Sequence, residues 1–193
     1  MDLLSGILSA FSAFGLSASA GLNAYIPLLS IALLAKFTDL IELSSPWDTL
    51  ENWWVIGALI VLLLIEFFAD KVPAVNHLND VIQTFVRPTA GAVAFASSSG
   101  AITEMSPALS LILGLIVAGG VHAAKSLAIR PAVTATTGGA GNIPVSILED
   151  IVSTILSILA IIIPILLAAI AIIFTAWFVW WLWKRANRVE VTT

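Results

Sequence analysis

Arg130-Pro-Ala-Val-Thr-Ala-Thr-Thr-Gly-Gly-Ala-Gly-Asn-Ile-Pro-Val-Ser-Ile-Leu-Glu-Asp150 separates an apolar run ending at Ala124 from another that begins at Ile151. Gly138, Gly139, Gly141 and Pro144 break regular backbone, and Glu149 and Asp150 place acids at the head of the second run. In hydrocarbon, irregular backbone is tolerated only where protein buries it or where it lines a water-filled cavity. An acid at membrane depth is costly and is usually paired or functional. The stretch therefore reads as a site within a chain that otherwise reads as greasy helix.

The chain has 193 residues, of which 60% are hydrophobic and 10% charged, with a mean hydropathy of +1.06. Soluble domains carry about 25% charged residues, so this composition predicts an integral membrane protein. The expected fold is all-α: one polytopic bundle over residues 1–193 with about six membrane segments, some broken or re-entrant. The absence of cysteine excludes disulfides, iron–sulfur clusters and thiol-ligated zinc. Much of the net charge of -4 comes from the loop holding Asp39, Glu42, Asp48 and Glu51, and no nucleic-acid partner is implied. Met1-Asp2 lacks the basic start of a cleavable signal, and the first apolar run outlasts a signal core.

That first run, Leu3 to Ala35, would be about 50 Å long as one helix, against a hydrocarbon core of about 30 Å. A break is expected within Ser17 to Pro27, where small residues, Asn23 and Pro27 permit an unwound turn or a re-entrant hairpin. Asn52 to Ala69 reads as a clean span, entered through Trp53 and Trp54. Val75 to Val86 has the spacing of a short amphipathic helix, and Pro88 to Thr103 that of a separate small-residue segment in the bundle interior. Pro107 to Ala124 is a further span. The last run, Ile151 to Trp183, exceeds one crossing, and Pro164 marks either a kink or a tight turn. Trp177, Trp180, Trp181 and Trp183 followed by Lys184, Arg185 and Arg188 favour a cytoplasmic C-terminus. Gly21-Leu-Asn23 with Ile26-Pro27 echoes Gly141 to Pro144, and Arg87-Pro88 echoes Arg130-Pro131. Such interrupted segments in two halves point to an inverted repeat of the transporter kind.

Three constellations carry chemistry. Glu66 and Asp70 are four residues apart on one helical face, and His77 and Asp80 follow on the next helix; with Glu149 and Asp150 they form an oxygen and imidazole pool for a divalent cation. Pairing of Asp70 with Lys71 or Arg87, leaving His77 in water, is the plain structural alternative. His122 and Lys125 share a face, and with Arg87 and Arg130 they could hold a small anion or a lipid phosphate. Equally, basic residues at helix ends are ordinary topology determinants. Asn23, Asn142, Glu149 and Asp150 mark the two breaks; a capping box from Ser146 to Glu149 is the competing reading for the acids. No cofactor is expected, and the glycine cluster lacks the lysine and the preceding strand of a nucleotide loop.

Glu66-Phe-Phe-Ala-Asp-Lys-Val-Pro-Ala-Val-Asn-His-Leu-Asn-Asp80, continuing to Arg87-Pro88, together with Ser146-Ile-Leu-Glu-Asp150, resembles the two hallmark segments of the family called domain of unknown function 4126. Gly21 to Pro27 is similar to its N-terminal segment. The resemblance covers nearly the whole chain and implies a small prokaryotic multi-spanning protein of the cell inner membrane. Matching positions are Glu66, Asp70, Lys71, Asp80, Arg87, Glu149 and Asp150; Asn76 departs where the family often carries Asp. Three functions follow as expectations: a transporter or channel-like permease for an ion or small solute, working as a homodimer; a membrane enzyme or flippase acting on a lipid phosphate; and a membrane scaffold or assembly factor. Of these the permease is preferred.

Overall fold

The computed structural model describes residues 3–71, 73–98 and 105–189. Regular structure among them is helical: α1 (Leu3–Leu22), α2 (Tyr25–Phe37), α3 (Trp53–Ala69), α4 (Pro73–Ser98), α5 (Pro107–Ala124), α6 (Arg130–Thr137) and α7 (Asn142–Val189). A short 3-10 helix, Trp47–Glu51, lies in the acidic loop, and a π-helical turn, Lys125–Ile129, joins α5 to α6.

The helix starts are written locally. The Asn52 side chain accepts a hydrogen bond from the Trp54 N–H to begin α3. Ser106 does the same for Leu109 at the head of α5, with Pro107 in the first turn, where a missing N–H costs nothing. The break in the first apolar run falls at Asn23-Ala24, as expected, and the Asn23 Oδ1 accepts from the N–H groups of Tyr25 and Ile26 to start α2.

Two expected interruptions are absent, and at Pro164 the continuous helix prevails over the tight turn. The amphipathic segment and the small-residue segment after it form one helix, α4, which runs through Pro88; the end of the expected second segment, at 99–103, lies outside the described residues. Arg130 to Thr137 is helical and continues α5, so the irregular backbone shrinks to the turn at 138–141, where Gly138 (φ 63°) and Gly139 (φ 92°) take left-handed conformations. At Pro164, α7 remains continuous. Proline cannot donate to the carbonyl four residues earlier, which here belongs to Ala160; the Ser12 hydroxyl from α1 donates to that oxygen at 2.7 Å.

Helix α1 is the centre of the bundle, packed against α4, α5 and α7. Gly91 of α4 and Gly114 of α5 meet where α1 presents Ser17; a Cβ on Gly114 would lie 2.6 Å from the Phe95 Cβ and 2.7 Å from the Ala92 Cα. Ser17 donates to the Gly114 carbonyl at 2.8 Å. Along α7, Ser19 meets the Ser153 and Ser157 hydroxyls at 2.7 and 2.8 Å.

Polarity is distributed inside out. Arg87 and Lys125 are each 1% exposed, whereas Trp54, Phe85 and Leu127 are 87, 74 and 78% exposed. Continuous apolar surface around a charged interior suits hydrocarbon surroundings rather than water. Among the described residues, two helical stretches are long and apolar enough to cross a bilayer, Pro107–Thr137 and Asn142–Pro164, and three shorter apolar helices accompany them.

Candidate functional site

Charged side chains from four parts of the chain meet below the glycine crossing. Helix α3 runs down to Glu66, and Asp70 caps its end. Helix α4 returns antiparallel, setting Asn79 against Asp70 at 2.6 Å and Arg87 against Glu66. The end of α5 brings His122, and the start of α7 brings Ser146, Glu149 and Asp150.

The π turn decides how the basic residues point. In an α-helix, residues five apart diverge by about 140°. Here the Arg130 N–H donates to the Lys125 carbonyl, an i to i+5 bond, so one extra residue fits in the turn and Arg130 returns to the face that holds Lys125. Pro131 follows immediately. Its missing N–H has already interrupted the helical ladder, which places the irregular turn at this point.

Arg130 is the hub: Nη2 lies 3.0 Å from Asp70 Oδ2 and 3.4 Å from Glu149 Oε2, and Nη1 lies 2.8 Å from Asp80 Oδ1. Lys125 Nζ is 2.6 Å from Glu149 Oε2 and also donates to the Leu22 carbonyl, a freed acceptor at the negative end of α1. Arg87 holds Glu66 Oε1 through Nη2 at 2.7 Å and Nε at 3.3 Å. The Ser146 hydroxyl donates to Asp70 Oδ2 at 3.1 Å. Asp70 lies outside the helices; burial alone would raise its carboxyl, but the charges of Arg130, Lys125 and Arg87 outweigh burial and hold it below the usual carboxylate range.

His122 is buried. Its Nδ1 lies 3.4 Å from the Arg87 Nη1, a permanent donor, so Nδ1 accepts and Nε2 carries the hydrogen toward the Thr84 hydroxyl at 3.2 Å. Asn23 links the first helix break to the centre: while its Oδ1 starts α2, its Nδ2 donates to Asp150 Oδ1 at 3.0 Å.

A cavity of about 890 Å³ adjoins this network. Asp70, Lys71, Asp80 and Arg130 form its charged wall, and Thr134, Gly138, Gly139 and Asn142 its opposite lip. Glu66, Arg87, Lys125 and Glu149 are buried behind that wall. Asn142 stands on the lip, bonded to the Thr134 hydroxyl, and does not enter the ion pairs described. His77 lies on α4, with its side chain outside the described residues.

Several expectations change. Ser146 caps nothing: it lies inside α7 and bonds Asp70, while Glu149 turns to Lys125 and Arg130, so the capping box gives way to tertiary pairing. Arg87, Lys125 and Arg130 do not form an open anion site, because each already has a carboxylate within 2.8 Å. Among the described residues, no three His, Cys, Asp or Glu side chains gather as a metal-ligand group, and the acids expected to form one are held by basic side chains instead. The two breaks are joined through α7, since Asn23 reaches Asp150, two turns beyond the glycine turn.

Sequence reasoning named Lys71 only as a partner of Asp70 and a family-matching position, and Ser146 only as a helix cap; it did not select Asn79, Thr84 or the seam of Ser19, Ser153 and Ser157. The seam had a signal in its spacing, with Ser146, Ser153 and Ser157 at helical intervals on one stripe of α7.

None of the curated proteins and none of the solved structures matches the chain. The family model for a domain of unknown function (DUF4126) matches residues 10–185, which take in every helix of the charged centre, and the chain belongs to that family.

Proposed function

We propose that this protein is a small permease of the cell inner membrane, passing an ion or a small solute through a charged centre at the broken helices. The observation that carries the reading is the wall shared by the cavity and the buried ion network. Five carboxylates (Glu66, Asp70, Asp80, Glu149 and Asp150) face four basic side chains (Lys71, Arg87, Lys125 and Arg130), and three of these ion pairs reach the cavity surface. Ionisable groups at membrane depth that line a cavity mark substrate and ion pathways. A purely adhesive network would have no reason to border 890 Å³ of space.

In this reading the bundle has about six membrane segments. The turn at 138–141 and the break at Asn23 let α6 and α2 move relative to α7 and α1. Lys184 and Arg185, stacked over Trp180 and Trp181, hold the end of α7 at the cytoplasmic boundary. The lipid-phosphate reading loses support because the three basic side chains it requires are already neutralised.

Reconstitution in proteoliposomes tests the proposal. Flux of at least one member of a panel of protons, alkali cations, halides and small organic acids is expected, and Asp80→Asn, at the cavity wall, should lower it roughly tenfold. Folded protein that passes nothing across the panel would sink the reading.

A further inference from the structure

The acids of the centre are not equally held. Glu66 receives two bonds from Arg87, the shorter at 2.7 Å, and Glu149 has Lys125 at 2.6 Å and Arg130 at 3.4 Å. Asp70 and Asp80 share the Arg130 fork. Asp150 differs. Its Oδ1 accepts from the neutral amide of Asn23, and its Oδ2, sealed from solvent, has no hydrogen-bond partner. The nearest charge is Lys71, with Nζ 3.8 Å away, and that ammonium already donates to the Phe67 carbonyl at 2.8 Å and rests on the Phe67 ring. The side chain is 19% exposed, as is that of Lys71, which lines the cavity.

We propose that Asp150 is the reversible proton-binding residue of the centre, with Lys71 as the tethered cation that stands in when the proton is gone. With five carboxylates against four basic side chains, the network carries one surplus negative charge when all are ionised. In a low-dielectric interior that surplus is best removed from the acid that no charged donor holds at hydrogen-bond distance. Glu66 Oε2 and Glu149 Oε1 are also buried without a partner, but each of those acids is held through its other oxygen by a cation within 2.7 Å, whereas Asp150 is held only by the neutral Asn23 amide. Lys71, which lines the cavity, stands before Oδ2; when its ammonium swings aside, a proton passes from cavity water to Oδ2, forming the carboxyl O–H and leaving Asp150 neutral, and the reverse step returns it to water. The charged groups facing Asp150 are Lys71 and Asp70 from the turn after α3 and Lys125 from the π turn, while the break between α1 and α2 contributes the neutral Asn23. Asp70 favours the protonated state, and Lys71 and Lys125 oppose it.

Protonation is transmitted through Asn23, whose amide links Asp150 to the start of α2, and through Lys71, which is released toward the cavity. That the proton is the coupling ion rests on the permease reading; that Asp150 binds it does not. Infrared difference spectroscopy of the full chain in lipid nanodiscs, between acid and alkaline pH, separates the two. The expected result is a protonated-carboxyl band that Asp150→Asn removes and Asn23→Ala shifts in frequency. Lys71→Gln, which keeps Asp150, should move the band's titration midpoint up by roughly one pH unit. A band that persists in Asp150→Asn and vanishes in Glu66→Gln or Glu149→Gln would overturn the assignment. So would a midpoint indifferent to Lys71→Gln, or no protonated carboxyl at any pH at which the helices persist. A correct band without flux would retain the proton site and remove only the permease.

Discussion

The same four helices build two unlike neighbourhoods along their length. At one level α1, α4, α5 and α7 present Ser17, Ser19, Gly91, Gly114, Ser153 and Ser157, and their backbones approach until hydroxyls reach across to carbonyls. One to three turns away, these helices and their ends present Asn23, Arg87, Lys125 and Glu149, whose long polar side chains pair across the bundle behind the cavity wall. Small residues exclude ligand by leaving no space, whereas charged residues need the space and fill it with partners. The bundle is thus close-packed at the small-residue level and held by ion pairs at the charged one.

The two levels should respond differently to mutation. Arg130→Gln removes the partner of Asp70, Asp80 and Glu149 together, leaving buried carboxylates uncompensated; a loss of about 3–5 kcal/mol is expected from thermal or denaturant unfolding in detergent. Its coupling to Asp70→Asn in a double-mutant cycle should be large, since the second change removes the stranded charge. Additive losses would show that the ion network behaves as independent contacts and would dissolve the contrast. Gly114→Ala tests the close packing: the added methyl meets the α4 backbone, and about 1–3 kcal/mol should be lost, with α4 and α5 pushed apart. Spin labels on the outer faces of the two helices would report that displacement. Ser19→Ala should cost least, about 0.5–1.5 kcal/mol, because neutral hydroxyls can find other partners, and Ser153 and Ser157 can still bond one another's vicinity. A loss as large as that of Arg130→Gln would make the serine seam, rather than the charges, the organising polar element.

Part of the site was legible in local spacing. Glu66 with Asp70, and His122 with Lys125, share faces whatever the tertiary fold, because four and three residues nearly complete a helical turn. Asn23 was legible as a break, since a 33-residue apolar run from Leu3 to Ala35 cannot be one simple crossing. Arg130 was legible as a charge but not as the hub. Its direction depends on the π turn, and nothing in Lys125 to Ile129 taken alone requires an i to i+5 bond. Pro88 reads as the start of a separate segment, yet it ends no helix; Pro164 permits either a kink or a tight turn, and the helix continues there because Ser12, 148 residues away, satisfies the freed carbonyl. Ser146 and Glu149 have the spacing of a cap, and local geometry alone would favour one. Asp70 and Lys125 compete for the same side chains with charge-assisted bonds, which are stronger than a cap's neutral ones.

The sequence by itself determined an all-helical, apolar chain with a break at Asn23, a glycine turn near 140 and a family membership carried by its charged segments. These properties depend on composition and on periodicities of a few residues, which short-range backbone geometry reads directly. Only the tertiary structure decided which acid meets which base. Glu66 and Arg87 lie 21 residues apart, Asp70 and Arg130 60, and Asn23 and Asp150 127. In a low-dielectric interior each charge must take whichever partner the packing delivers, because leaving it unpaired costs more than any local preference can return.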